Sequence, residues 1–248
     1  MMIGNENLTA ARSLGQFVSD TGEQAAVGGR FANESARTLR VELDGGVWLK
    51  PGAAVAYRGD IRFERQRVLA APSVKTALLR ETAPLVHASG NGRLFCAHHG
   101  SHASAIALSG ETIFVAWPDL LAFEESLECV PTLVDHGVSL AAGGLVAMKL
   151  SGHGSFAVVS HGRPLALTVT GGQPVSTDPH ATMAWSADLR VRLKTDLSWR
   201  SAFRHGGHEP VQMLFEGDGF VIVQPFEDPG RFTVRVNPLK RLASLLAS

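Results

Sequence analysis

Cys96-Ala97-His98-His99-Gly100-Ser101-His102 gathers three imidazoles and a thiol in one short stretch. Imidazole and thiolate are zinc ligands. Neighbouring residues of a strand point to opposite faces, however, so His98 and His99 would not converge on one ion. The corresponding turns later in the chain carry Ser160-His161-Gly162 and Phe226-Glu227-Asp228. A position that accepts such different residues reads as a solvated turn. No metal and no cofactor is therefore expected.

Catalysis needs a nucleophile with a base, or paired carboxylates in a fixed relation. Glu124, Glu125 and Glu128 form an acidic cluster after Phe123, which reads as a solvated face. The sequence contains no Gly-x-Ser-x-Gly elbow and no His-Glu-x-x-His helix. No catalytic residue is assigned, and the chain is expected not to be an enzyme. Gly90-Asn91-Gly92, Gly152-His153-Gly154 and Gly217-Asp218-Gly219 have the composition of phosphate loops, but such loops lead from a strand into a helix. Here each runs into another strand, at Leu94, Phe156 and Phe220. A tight turn or a bulge permitting close backbone approach fits better.

For nucleic acid, Arg190, Arg192 and Lys194 alternate along one strand and share a face, with Arg200 and Arg204 following. The matching strands carry Arg62, Glu64 and Arg67 in one case and the acidic cluster in the other. Lys plus Arg and Asp plus Glu are both 23, so there is no global field to draw in a polyanion. Nucleic acid is thus an unfavoured partner, reachable only through a local patch.

These residues need a scaffold, and the spacing predicts one. The chain has 248 residues, 45% of them apolar, enough for a core. Ala56-Tyr57, Ala122-Phe123 and Ala184-Trp185 each follow a proline turn, and the aromatic positions are separated by 66 and 62 residues. The Gly-x-Gly steps recur at nearly the same interval. Two markers with one period predict three internal repeats. Each opens on an alternating strand such as Thr38–Leu43, which is the pattern of a half-buried strand. Asp44-Gly45-Gly46 reads as a hairpin turn. Ser73–Arg80 reads as a connecting helix capped by Ser73. Arg231–Val236 reads as a strand covering the open edge of the first repeat.

The expected fold is all-β, a single domain of three β pseudo-repeats around a pseudo-threefold axis with short connecting helices. An N-terminal arm spans residues 1–36, the β domain 37–237 (repeats 37–100, 101–162 and 163–237), and an amphipathic tail 238–248. Leu8, Ala11, Leu14 and Val18 could line a short helix in the arm. Tyr57, Phe123 and Trp185 are expected to be core anchors. Cys96 and Cys129 read as buried thiols of a reducing, cytoplasmic environment. No secretory signal or membrane-length apolar run is found.

Ala53–Asp60, Ala184–Arg190, Lys194-Thr195-Asp196 and Phe215–Pro225 resemble the mitochondrial-biogenesis family named for altered inheritance of mitochondria, protein 24, over about residues 37–227. The bacterial branch is the closer one. The resemblance implies a fold like the tryptophan RNA-binding attenuation protein with its repeats in one chain, and no catalytic residues. It also implies a link, among eukaryotic members, to inner-membrane organisation. The expectation is a non-enzymatic scaffold or protein-interaction protein with an unknown protein partner, capable of self-association. The rival is a nucleic-acid or small-ligand module using the basic face of the third repeat.

Overall fold

The computed structural model describes residues 11–23, 28–65, 83–134, 146–195 and 211–226. Among them the fold is nearly all strand. A short helix, α1 (Leu14–Asp20), precedes β1 (Phe31–Ser35), β2 (Thr38–Leu49), β3 (Ala54–Arg65) and β4 (Val86–Cys96). Then come β5 (His102–Ala116), β6 (Leu120–Glu124), β7 (Leu127–Leu133) and β8 (Val146–Ser160). The last third holds β9 (Leu165–Val169), β10 (Val175–Thr177), β11 (Thr182–Ser186), β12 (Arg190–Thr195), β13 (Val211–Glu216) and β14 (Gly219–Val223). A single 3-10 turn, Trp117–Asp119, separates β5 from β6.

An 11-stranded sheet runs β3-β4-β2-β6-β8-β5-β11-β14-β9, with β1 added to β2 and β7 to β8. A second sheet runs β10-β13-β12. In the first two thirds of the chain the last strand in sequence lies between the earlier ones: β4 between β2 and β3, and β8 between β5 and the β6/β7 pair. In the last third β14 lies between β9 and β11, and β13 between β10 and β12. The thirds join edge to edge. Val47–Leu49 of β2 face Ala122–Glu124 of β6, and Ile113–Val115 of β5 face Ala184–Ser186 of β11.

Asp44-Gly45-Gly46 is not the hairpin turn that its composition predicts. β2 runs straight through it, with β4 alongside in unbroken register from Leu39↔Cys96 to Leu49↔Val86. Gly45, at φ +102, accommodates a bend instead of a reversal. Gly90 and Gly92 are likewise internal to β4 and provide the close approach expected of them. A Cβ on Gly90 would meet the Asp60 carbonyl oxygen at 2.0 Å, and one on Gly92 that of Arg58 at 2.0 Å. The arm also ends earlier than residue 36, because β1 pairs with β2 from Phe31↔Val41 onward.

Three apolar clusters form the core. Leu39, Val41, Leu49, Leu94 and Cys96 fill the first, Phe123, Met148, Leu150 and Phe156 the second, and Trp185, Met213, Phe215 and Val221 the third. Each large side chain so buried contributes about 1.5–3 kcal/mol. β8 sends Ala157 and Val159 into the first cluster and Phe156 and Val158 into the second. The clusters are therefore parts of one domain. The stretches read as Ser73–Arg80, Arg231–Val236 and the tail from Pro238 lie outside the described residues.

Candidate interaction surface

The three aromatic anchors do not share one environment. Phe123 is 2% exposed and Trp185 4%, as core anchors should be, but Tyr57 is 57% exposed. The cause is the joint between thirds. Trp48 of β2 stands opposite Phe123 and stacks on it at 6.5 Å between ring centroids. Phe114 of β5 stands opposite Trp185 and stacks at 5.7 Å. No described strand lies outside β3, so Tyr57, opposite Leu94 of β4, has no ring facing it from a further strand, and its ring meets that of Phe63 on its own strand, at 5.3 Å.

The sequence carries a signal for this. Trp48 faces His87, Phe114 faces Lys149 and Ser176 faces Leu214, each opposite the residue three before the first glycine of a Gly-x-Gly step. The first two joints thus bring an aromatic, while the third position is an exposed serine. A closing joint of the same kind would lack its second ring.

β3 is exposed along almost its whole length, Ile61 being the buried exception. Val55, Tyr57 and Phe63 lie on one face, and Arg58, Asp60, Arg62 and Glu64 alternate in sign along the other. Beside it, Glu23 accepts from Arg93 Nη1 at 2.5 Å and pairs with Arg58 Nη2 at 3.1 Å. The hydrogen bond from Arg93 holds the Glu23 carboxyl below its usual range, with Arg58 adding to the effect. These contacts tie the segment after α1 to β3 and β4. α1 itself is closed by a capping box, Gln16 N donating to Ser13 Oγ at 3.2 Å and Ser13 N to Gln16 Oε1 at 3.1 Å. Leu14, Phe17 and Val18 of α1 are all exposed. Phe17, not among the residues expected to line this helix, stands three residues after Leu14 and next to Val18, so Leu14, Phe17 and Val18 have the i, i+3, i+4 spacing of one helix face.

The histidine stretch is split by the fold. Cys96 is buried in the first core cluster, whereas His98 and His99 sit in the turn with ring centroids 4.2 Å apart, and His102 opens β5. Among the described residues no three His, Cys, Asp or Glu side chains are arranged to hold a metal. Instead the turns meet one another. Ser101 Oγ lies 3.3 Å from His161 Nε2, the His161 amide donates to Gln224 Oε1 at 2.9 Å, and the His161 ring stacks on Phe226 at 4.5 Å. Burial, with Lys50, His99 and His161 near it, lowers the pKa of His98 to about 4.

The acidic cluster is engaged in local bonds. Glu124 accepts from the Ser155 amide at 3.1 Å, Glu125 meets His87 Nε2 at 2.6 Å, and Glu128 accepts from Ser151 Oγ at 3.4 Å. On β12 the side chains of Arg190, Arg192 and Lys194 are exposed on one face, and Arg192 donates to Glu216 at 2.5 Å. Arg200 and Arg204 lie outside the described residues. Cys96 and Cys129 are both free thiols, each pushed up to about 12 by burial. No described helix is long and apolar enough to cross a membrane.

Fold and surface together define a β-sheet protein with an exposed, amphipathic strand at one end of its sheet. A family model described as Mitochondrial biogenesis AIM24 matches residues 30–226. The chain belongs to the mitochondrial biogenesis AIM24 family. Its fold is similar to the crystal structure of a Streptococcus pyogenes protein at 19% identity, with a TM-score of 0.60 over 88% of this chain and 96% of that one. No curated protein matches it.

Proposed function

We propose that this protein is a non-enzymatic scaffold that binds a protein partner in a membrane-associated assembly, through β3 and the adjoining α1. The observation that carries this reading is the exposure of Tyr57 where Phe123 and Trp185 are covered by the strand of a neighbouring third. A row of unpaired backbone groups beside exposed aromatic side chains is how an edge strand receives another chain. The strand order that recurs in each third supports three pseudo-repeats around a pseudo-threefold axis, like the attenuation protein, and membership of the bacterial branch goes with that reading. Tagged protein purified gently from its host should carry a partner at fixed ratio, and Tyr57→Lys/Phe63→Lys should lose it without a change in melting temperature. An unchanged set of bound proteins in that variant would overturn the proposal.

A second reading, binding of single-stranded nucleic acid at β12, is favoured by the exposed Arg190, Arg192 and Lys194. The bond from Arg192 to Glu216 weakens it, since part of the positive charge is already compensated. Arg190→Ala/Lys194→Ala should reduce both the affinity for single-stranded RNA and its salt dependence if the reading holds. Equal binding by variant and wild type would remove it.

A further inference from the structure

β4 pairs with β3 from Ala54 to Arg65, and no described strand pairs its other edge. This edge, open among the described residues, contains no proline, and its charged side chains Arg58, Asp60, Arg62 and Glu64 are all exposed. Deepening the reading of β3 as an interaction surface, we infer that its occupant is the β3 strand of a second copy, paired antiparallel about a twofold axis at Ile61.

The charges favour a second copy and rank the registers. Centres at Gly59 or Phe63 also oppose unlike charges, but one kind of pair each (Arg58 with Asp60, or Arg62 with Glu64) against two at Ile61. With Ile61 opposite itself, Asp60 faces Arg62 of the other copy and Arg58 faces Glu64, and symmetry repeats each pair. Moving the centre to Asp60 sets Arg58 against Arg62 and Asp60 against itself. Moving it to Arg62 sets Asp60 against Glu64 and Arg62 against itself. Opposed like charges disfavour those registers. In the favoured register the other face sets Phe63 against Gly59, where no side chain obstructs the ring, and Tyr57 against Arg65. Gly59, at φ +102, bends the strand enough for Tyr57 and Phe63 to touch. The twofold axis of an antiparallel pair stands normal to the sheet, so the second copy bends in the same sense. Arg58 also meets Glu23, yet its side chain stays 76% exposed and can face a second carboxylate.

The test is sedimentation of the purified full chain with charge-reversal variants. The wild type should sediment at twice the chain mass, and Arg62→Glu and Asp60→Arg should each weaken association by roughly tenfold or more. The double variant Asp60→Arg/Arg62→Glu should restore it. An equimolar mixture of the two single variants should form a heterodimer. A monomeric wild type would overturn the inference, as would single variants that associate like wild type or a mixture that does not re-form dimers. A mass climbing with concentration past the dimer, which signals head-to-tail pairing of β3 with β9, would also overturn it. A monomer whose host partner is still lost in Tyr57→Lys/Phe63→Lys would sink the second copy alone. A dimer whose captured partners ignore that variant would leave the twofold pairing standing and remove the wider scaffold reading.

Discussion

Single side chains in this protein take their chemistry from what covers them. His98 is half-buried beside Lys50 and two other imidazoles, which brings its pKa down from 6.5 to about 4. The unfolded chain takes up that proton near pH 6.5, whereas the folded chain resists it until about pH 4. Stability should therefore fall as pH drops through this window and level off below it, by about 1–3 kcal/mol at most from this group. Urea denaturation across the window should show a shallower fall in His98→Asn, and an identical fall would show that His98 is not responsible. Cys96 and Cys129, both held protonated by burial, should alkylate slowly in the native state and fast in denaturant. Tyr57 and Trp185 provide the sharpest contrast. Trp185→Ala should cost about 3–5 kcal/mol, and Tyr57→Ala, on an exposed edge, within about 0.5 kcal/mol. Equal losses in thermal or urea melts would contradict the exposure difference.

At the scale of elements, the long strands depend on glycine. β2, β3 and β4 bend together where Gly45, Gly59, Gly90 and Gly92 come into register, with Gly45 opposite Gly90 and Gly59 opposite Gly92. Gly90→Ala would drive a methyl group into the Asp60 carbonyl while forcing alanine to φ +133. It should cost about 3 kcal/mol or more, against a near-neutral Gly29→Ala control, which meets nothing within 4 Å. A drop under about 1 kcal/mol for Gly90→Ala would mean that β4 can straighten. The same bends explain why Asp44-Gly45-Gly46 misleads. Its composition suits a hairpin, but a neighbouring strand with its own glycines at the same level turns a reversal into a bend.

At the scale of the whole molecule, β8 belongs to all three core clusters, Ala147 reaching the third, and the thirds share strand edges, so no third can melt alone. Unfolding followed by tryptophan fluorescence and by far-ultraviolet circular dichroism should give coincident transitions; separated midpoints would argue for independent units. The sequence by itself determined the strand content and the positions of the main strands. It also determined the family and the close backbone approach at Gly90 and Gly92, because glycine placement is a local property of the chain. It did not determine that the first two Gly-x-Gly steps lie inside single strands, β4 and β8, instead of joining two. Only the tertiary structure decided which anchors are buried. Tyr57, Phe123 and Trp185 occupy like places in the sequence, but burial depends on the strand that arrives from elsewhere. Trp48 arrives over Phe123 and Phe114 over Trp185, and no described strand arrives over Tyr57. The structure likewise separated Cys96 from the histidines that follow it, since the chain leaves the core for a turn between Cys96 and His98. Whether neighbours in sequence share a site depends on the direction of the backbone, and that is set by long-range pairing.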